Sequence, residues 1–370
     1  MNGSGNKWLD SIRWQTEFYQ SALHKRRTDP EFEWAWFERS AGWFLPMARR
    51  LAKHVLRRAG LRAAEPISIE WLEQNSELLW GTRSLLMDEL SKLLFDQSLV
   101  LRLTSHGQFY FPRIDFDDIC QISHEENFAS NSLPTSYLGL PLKVYDVRLS
   151  ERAEAPAMKI VTTAAQMHLL NSYRQYLVRR NSVDLSPIAG DVVIDCGACI
   201  GEVSLLFAGL TGTTGEVHLF DPVPLHTRFC NLQGTLNPTL AHVLHVNTLA
   251  VSDRTFTING EVVDSSKINP GGLKIDSFST ITLDDYARKN NLARVDFIKM
   301  DIEGAEMNAL AGAAKIIQQF KPRLAISAYH KPDDLWKIAD AIKSLNPSYQ
   351  LHFGHHSPVQ WESVLYAVNH

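Results

Sequence analysis

Short runs rich in valine, isoleucine and leucine alternate with helix-length segments from about residue 163 to the end of the chain. The clearest run, DVVIDCGA at 191–198, ends in a glycine turn, and the segment that follows it, at 201–210, has a helical pattern. Such alternation is typical of a parallel sheet with helices on both faces. The last two strand segments, at 349–354 and 361–368, are joined by a short loop and are predicted to be antiparallel. We therefore predict an α/β fold with a Rossmann-like, mostly parallel sheet whose last strand is antiparallel.

The first 162 residues follow a different pattern, which is aromatic and helical. Seven of the nine tryptophans lie in the first hundred residues, and the segments 45–58 and 84–103 have helical periodicity. A stretch rich in proline and aspartate at 111–141 is predicted to be an irregular connector. We therefore predict two domains, a mainly helical accessory domain at 1–162 that includes the connector and a second domain at 163–370.

The segment 45–62 is basic as well as amphipathic. Residues 1–62 hold twelve lysines and arginines against six acidic residues, although the net charge of the whole chain is −4. A basic amphipathic helix either packs on the core with a solvated charged face or contacts an anionic surface, such as a membrane or an acidic substrate. The sequence leaves both interpretations open, and it also leaves self-association of the chain open.

Composition disfavours several classes of protein. Four cysteines among 370 residues cannot build a disulfide framework, which indicates a reducing compartment and predicts a cytoplasmic protein. No apolar run reaches the roughly 18–20 residues that span a bilayer, so no transmembrane segment is predicted. The chain also lacks a basic stripe interleaved with aromatic residues, which disfavours nucleic acid as a partner.

The turn after the first clear strand carries the chemistry. A dinucleotide fingerprint requires G-x-G-x-x-G, whose glycines let pyrophosphate sit on a helix N-terminus. This turn instead places Asp195 where the first of those glycines would stand, followed by Gly197 and Gly201. A carboxylate there repels a pyrophosphate but suits a cation, such as the amino group of an amino-acid moiety.

A second acidic residue follows the next strand. Asp221 ends the run VHLFD, and an acid at that point accepts hydrogen bonds from ribose hydroxyls. Together with the turn at 195–201, it predicts a ligand that has a cationic end and a ribose but no phosphate. S-adenosylmethionine fits that description.

The second half of the chain resembles the FkbM family of S-adenosylmethionine-dependent methyltransferases, which have the class I methyltransferase fold. The likeness covers residues 191–370 and is most specific in VDFIKMDIEGAE. The similar segments are VVIDCGACIGEVSL (192–205), VHLFDP (217–222), NTLAVSD (247–253), TLDDYA (282–287), VDFIKMDIEGAE (295–306), AISAYHKPDDLW (325–336) and LHFGHHSPVQWESVLYAV (351–368).

The resemblance implies the activity, the cofactor and the cofactor-binding residues. Family members generally methylate hydroxyls of sugars or natural products, so it implies an O-methyltransferase with a small-molecule or glycan acceptor. Asp301 is implied to face the reactive end of the cofactor. The other implied contacts are Asp195, Gly197, Gly201 and the backbone of Cys196 and Ala198 for the methionine part, Asp221 for the ribose, and Leu249 and Ala250 for the adenine.

Candidate catalytic residues follow from topology, because parallel strands end at the same edge of a sheet. His330 closes one such strand, His355 and His356 follow another, and Asp301 ends a third. Methylation of an alcohol requires alignment and removal of a proton. We predict His330 as the general base with Asp301 as its partner, and His355 or His356 as the alternative base. A divalent metal held by Asp301, His330 and His356 is a further, less favoured option.

Two other functions remain as alternatives. A nicotinamide-dependent oxidoreductase would use the same sheet, although Asp195 in the turn disfavours it. A non-catalytic methyltransferase-like scaffold would act through the tryptophan-rich N-terminal region. The acidic and glycine residues of the turns argue against the scaffold, because they are what a working cofactor site requires.

Overall fold

The computed structural model of the chain describes residues 3–28, 67–104, 119–150, 155–180, 183–259, 277–357 and 361–369. The predicted basic segment 45–62 lies outside the described residues. None of the described helices combines the length and the apolar character needed to cross a membrane.

A seven-stranded sheet forms the centre of the second half of the chain. Its order is β15-β16-β14-β13-β7-β8-β9, and β16 is antiparallel to both of its neighbours, whereas the pairs among the other five adjacent strands are parallel. This arrangement confirms the predicted mostly parallel sheet with an antiparallel last strand. The strands are β7 (Val192–Cys196), β8 (Glu216–Phe220), β9 (Leu244–Asn247), β13 (Phe297–Met300), β14 (Arg323–Ser327), β15 (Gln350–His355) and β16 (Ser363–Val368).

Both faces of this sheet are buried, which is why its strands are almost continuously apolar. Neighbouring residues of one strand point to opposite faces, so Ile194 and Ile298 pack in one core whereas Val193 and Phe297 pack in the other. The helices between these strands are α6 (Glu202–Thr211), α7 (Pro224–Leu236), α8 (Leu283–Lys289), α9 (Glu306–Ala311), α10 (Ala314–Phe320) and α11 (Asp334–Leu345).

The N-terminal helices pack directly on the first of these cores. Phe95 contacts Phe353 of β15 edge-on, with ring centroids 5.3 Å apart. Trp71 packs on Trp336, with ring centroids 5.4 Å apart. The described helices are α1 (Gly3–Thr28), α2 (Ile69–Gln74), α3 (Ser76–Leu85) and α4 (Glu89–Leu103). The helix predicted at 84–103 is therefore divided, because Asp88 accepts a hydrogen bond from the N–H of Ser91 and caps a new helix.

The predicted connector contains a sheet. Its described part and the residues after it form β1 (Cys120–Asn127), β2 (Ser136–Tyr137), β3 (Leu140–Leu149) and β4 (Met158–Thr163), with β1, β2 and β4 all antiparallel to β3. No position could be predicted for β1, because all but the first of its residues are exposed. An exposed strand has no apolar alternation to reveal it. The domain boundary at 162/163 stays a prediction.

The remaining elements are short. Helix α5 (Ala164–Tyr173) leads into the paired strands β5 (Arg179–Arg180) and β6 (Val183–Asp184). A small three-stranded sheet consists of β10 (Ala250–Val251), β11 (Phe256–Asn259) and β12 (Ser277–Ile281). The functional site lies where β7, β8, β13 and β14 end.

Candidate active site

The glycine turn after β7 is fixed by close contact with the end of β13. Gly197 has φ +82°, and a Cβ atom added there would stand 1.9 Å from the carbonyl oxygen of Asp301. Gly201 has φ +85°, and its added Cβ would meet the Cα of Cys230 at 3.0 Å. Gly197 requires glycine because a Cβ atom would overlap backbone, and Gly201 favours glycine because its left-handed conformation and its tight contact with Cys230 both disfavour a side chain.

Asp195 is sealed inside the protein and paired with a lysine of the neighbouring strand. Its side chain is 0 % exposed, its Oδ1 lies 2.9 Å from Nζ of Lys299, and its Oδ2 accepts a hydrogen bond from Ser204 at 2.5 Å. Burial lowers the pKa of Lys299, but the carboxylates of Asp195 and Asp301 outweigh it and raise that pKa above its usual value. The Asp195 carboxylate therefore cannot reach a ligand, contrary to the reason for which it was singled out.

Lys299 instead links the carboxylate to the turn. Its Nζ donates to the carbonyl oxygens of Gly197 at 2.7 Å and Cys196 at 3.3 Å. Lys299 was not among the site residues predicted from the sequence. A lysine in the middle of the apolar strand FIKM is the signal that would have found it, because a buried lysine needs an anionic partner.

The N–H groups of the turn are also used within the protein. Those of Gly197 and Ala198 donate to the carbonyl oxygen of Phe220, and that of Cys199 donates to Asp221. Phosphate-binding turns present free N–H groups to their ligand. This turn has its first three N–H groups already occupied, so it is poorly suited to a pyrophosphate.

Asp221 lies directly after β8 and keeps one acceptor position. Its carboxylate accepts from the N–H of Cys199 at 3.0 Å, from the N–H of Val223 at 2.9 Å and from Nδ1 of His226 at 3.0 Å. An ionised carboxylate has about four lone-pair sites. One acceptor position on Oδ2 is therefore left, which suits a single ligand hydroxyl.

The other predicted cofactor residues lie along the same edge. Leu249 and Ala250 are half-buried just after β9, whereas the side chains of Cys196 and Ala198 are buried and leave only backbone for a ligand. Their roles as binding residues stay predictions.

Asp301 is the centre of a polar cluster at the end of β13. Its Oδ2 accepts from the hydroxyl of Tyr176 at 2.7 Å, and its Oδ1 accepts from Tyr329 at 3.0 Å. Burial would raise the pKa of Asp301, but the charges of His330 and Lys299 and the two tyrosine hydroxyls hold it below its usual value. Asp301 is therefore an ionised carboxylate at neutral pH.

His330 is surrounded by three carboxylates. Its Nδ1 lies 3.1 Å from Glu306, and its Nε2 lies 3.4 Å from Asp301 and 3.8 Å from Glu303. Burial lowers the pKa of His330, but these three carboxylates outweigh it and raise the pKa to about 10. The imidazole is thus charged at neutral pH, with both nitrogens facing acidic partners.

Glu303 differs from the other two carboxylates in exposure and in backbone conformation. Its side chain is 37 % exposed, and its φ of +57° is uncommon for a residue with a side chain. Burial raises the pKa of Glu303 to about 7, even though the charge of His330 opposes the shift. A carboxyl that titrates near neutral pH and is open to solvent is suited to proton transfer.

The two alternative histidines do not join this cluster. Nδ1 of His356 lies 2.8 Å from the carbonyl oxygen of Tyr173, and its Nε2 lies 2.8 Å from the hydroxyl of Tyr366. His355, the last residue of β15, has Nδ1 3.0 Å from the hydroxyl of Ser363. Both ring nitrogens of His356 thus have protein partners, so the structure does not assemble the metal set that included it.

A different set of ligands is assembled instead. Asp301, Glu306 and His330 each offer one atom, and these atoms lie within 4.8 Å of one another. Oε1 of Glu306 accepts from the N–H of Ile302 at 2.9 Å. Its buried Oε2 has no hydrogen-bond partner among the residues that the structure describes. The donor set is compatible with a divalent cation, although the cluster is also explained by its own ion pairs.

Tyr176 and its neighbour Gln175 are site residues that sequence reasoning missed. Tyr176 is buried with φ +63°, and Gln175 donates both to the Tyr176 hydroxyl and to Glu362. Burial and the charge of Asp301 raise the pKa of Glu362 to about 8. No local motif marks these residues, because they reach Asp301 from separate parts of the chain.

Comparisons with known proteins agree with this geometry. Residues 195–355 match the family model described as the methyltransferase FkbM domain. No curated protein matches the chain. Among solved structures, the methyltransferase FkbM from Methylobacillus flagellatus KT is 23% identical with a TM-score of 0.51, and the match covers 80% of this chain and 59% of that chain.

Two fibrillarins are more distant matches. One, from Aeropyrum pernix in complex with natively bound S-adenosyl-L-methionine, is 10% identical with a TM-score of 0.33, covering 67% of this chain and 99% of its own. The other, a pre-rRNA processing protein from Methanococcus jannaschii, is 13% identical with a TM-score of 0.35, covering 67% and 97%. The chain spans 59% of the Methylobacillus protein, whose similarity carries the fold. The segment 195–355 is therefore similar to the methyltransferase FkbM domain, and the chain has the class I methyltransferase sheet that the sequence predicted.

Proposed function

We propose that this protein is an S-adenosylmethionine-dependent O-methyltransferase that acts on a hydroxyl of a sugar, glycan or natural product. The observation that carries the proposal is the cluster of Asp301, Glu303 and His330 at the ends of β13 and β14, beside the glycine turn. It combines negative charge, which attracts a cationic donor, with a carboxyl that can accept a proton near neutral pH.

Three features support S-adenosylmethionine as the cofactor. Asp221 retains one acceptor position for a ribose hydroxyl. The turn at 197–199 has no spare N–H groups for phosphates, which disfavours the nicotinamide alternative. The family model adds the methyltransferase assignment. When bound, the cofactor would supply a methyl group already activated on a sulfonium, so the protein has only to align the acceptor and remove its proton.

We infer that deprotonation of the acceptor is assisted by His330 but ends on Glu303. Both nitrogens of His330 face carboxylates, and its pKa of about 10 keeps it protonated at neutral pH. Glu303 is the partly exposed member of the cluster, and its pKa of about 7 suits a general base. His330 then fixes the Glu303 carboxylate by charge and balances the negative charge that remains on it.

A hydroxyl acceptor fits this chemistry better than an acidic one. An alcohol must lose its proton as the new bond to oxygen forms, so a base is required. An acceptor that is already an anion would need no base and would be repelled by the carboxylates of Asp301 and Glu303. A neutral small molecule or glycan is therefore the proposed acceptor class.

The cofactor part of the proposal is tested by ligand binding. Thermal unfolding of the full chain is measured with S-adenosylhomocysteine and, separately, with NAD. The former is expected to raise the melting temperature, because a ligand that binds only the folded state stabilises it. Stabilisation by NAD alone would favour the oxidoreductase. Binding of neither ligand, together with tight binding of a protein partner, would favour the scaffold.

The reaction is tested with S-adenosylmethionine labelled in its methyl group and extracts of candidate glycans and natural products. Transfer of the label to a hydroxyl oxygen, which yields a labelled methyl ether, is the expected result. Transfer to nitrogen or carbon would contradict O-methylation. A parallel sample with a chelator decides whether the reaction needs a metal ion.

A further inference from the structure

Three side chains that can bind a metal share one face of the central sheet, away from the active site. Glu216 begins β8 and His218 lies two residues later, so both point to the same face. His245 is the register partner of His218 on the parallel edge strand β9. The cluster is therefore set by strand geometry, since it needs only an i, i+2 pair and an in-register neighbour.

The spacing of the ligand atoms suits one ion. Oε2 of Glu216 lies 3.1 Å from Nε2 of His218 and 3.9 Å from Nε2 of His245. The three residues each offer one ligand atom, and these atoms all lie within 4.8 Å of one another. In a tetrahedral zinc site, bonds of about 2.0–2.1 Å place ligand atoms about 3.3 Å apart. The rings of His218 and His245 are stacked, with centroids 4.6 Å apart and planes 16° apart. The exposed ring of His245 would therefore have to rotate out of this stack to direct its Nε2 at the same ion.

The surroundings orient one histidine and leave the other two groups accessible. His218 is buried, and its Nδ1 lies 2.9 Å from the hydroxyl of Tyr286, which itself accepts from Asn247 at 3.2 Å. Such a contact on one ring nitrogen directs the other nitrogen toward a metal. The side chains of Glu216 and His245 are 47 % and 43 % exposed, so an ion and a water ligand can enter from solvent.

We propose that Glu216, His218 and His245 form a binding site for a divalent transition-metal ion of the zinc type, with water as the fourth ligand. Two imidazoles and one carboxylate are nitrogen and oxygen ligands that suit zinc and its neighbours better than calcium or magnesium. The ion would join β8 to the edge strand β9. The site lies in the first half of both strands, whereas Asp221 and the glycine turn lie beyond the carboxyl ends.

The test is titration of the full chain with Zn²⁺ and with Co²⁺, whose visible absorption reports tetrahedral coordination. We expect one ion per chain at this site, and we expect His245→Ala to weaken its binding at least about ten-fold, by analogy with the effect of removing a supporting group. His245 is exposed, so the variant should fold. Tyr286→Phe is expected to weaken binding by about 10–100-fold through the orientation of His218.

His242→Ala is the matched control, because His242 is another exposed histidine nearby whose Nε2 lies 3.1 Å from the carbonyl oxygen of Thr213 and which is not part of the proposed ligand set. It should bind Co²⁺ as the unmodified chain does. His330→Asn should also retain the absorption band, which separates this site from the Asp301 cluster. Equal Zn²⁺ affinity of the His245→Ala variant and the unmodified chain, or absence of a tetrahedral Co²⁺ band, would overturn the proposal.

Discussion

Two turns at the carboxyl edge of the sheet lie close together but differ in how far their charged and hydrogen-bonding groups are already paired within the protein. The turn after β7, residues 195–201, pairs its carboxylate with Lys299 and uses its first N–H groups internally. The turn after β13, residues 301–306, concentrates three carboxylates around His330. The pKa values of Asp301, Glu303 and His330 are all displaced from their usual values by burial and charge. We infer that the first turn supplies shape and the second supplies reactivity.

Replacing the proposed base should produce the largest effect. Glu303→Gln removes the proton acceptor but keeps the size of the side chain, so turnover is expected to fall by roughly 10²–10⁴-fold. Methyl transfer is measured with saturating S-adenosylmethionine. Because Glu303 must be ionised and its pKa is about 7, the activity of the unmodified enzyme should decline as pH falls below 7, and the variant should lack that step.

The His330→Gln variant distinguishes between the two candidate bases. If His330 is the base and Glu303 only a neighbour, the histidine variant would lose as much activity as Glu303→Gln or more. A Glu303→Gln variant with full turnover would place the reactive group elsewhere in the cluster.

Breaking the sealed turn should destabilise the fold. Lys299→Met leaves Asp195 as a buried charge without a partner, which costs about 3–5 kcal/mol of the free energy of unfolding. Denaturant titration measures the loss. The double variant Asp195→Asn, Lys299→Met should recover part of it, since no isolated charge remains. A stable Lys299→Met protein that binds S-adenosylhomocysteine normally would show that the turn does not depend on this ion pair.

Changing the proposed ribose contact should have an intermediate effect. Asp221→Asn keeps the side-chain shape but replaces the carboxylate that accepts three hydrogen bonds within the protein and is proposed to accept one from a ligand hydroxyl. Hydrogen bonds to a charged group contribute about 1.5–3 kcal/mol, so the dissociation constant of S-adenosylhomocysteine should rise by roughly ten-fold or more. Calorimetry provides the measurement. Asp253→Asn is the control that should bind normally, because Asp253 is an acidic residue to which no role in the site is assigned.

The last expected effect is spread over several pH units and concerns stability. The pKa of His330 is raised in the folded state to about 10, so its stabilising contribution is complete below the unfolded pKa of about 6.5 and is lost as pH rises toward 10. In that window stability should fall by up to roughly 1.4 kcal/mol per pH unit from this group. The His330→Asn variant should show a smaller decline in stability over this pH range. An identical pH dependence of stability in the variant and the unmodified chain would contradict the charged state of His330.

Much of the fold was predictable because most strands of the central sheet are short apolar runs, and β7, β8 and β13 are each followed by a glycine or an acidic residue. Parallel strands end at one edge, so topology alone placed Asp221, Asp301 and His330 along that edge and brought Asp301 close to His330. It failed for His356, whose ring nitrogens contact Tyr173 and Tyr366. A position at the correct edge does not determine which way a side chain points.

Other features depended on partners that are far apart in the chain. Tyr176 reaches Asp301 across 125 positions, and strand β1 is held by pairing with β3 rather than by its own pattern. The pairing of Lys299 with Asp195 follows from the register of β13 on β7, which a single sequence does not specify.

The sequence by itself determined the succession of strands and helices along the second half of the chain and the glycine positions of the turn after β7, because these depend on local periodicity and backbone conformation. Only the tertiary structure decided which charged groups neutralise one another and which remain available. That division arises because the pKa of a buried group depends on burial and on charges within a few ångströms, and those neighbours come from residues far apart in the chain.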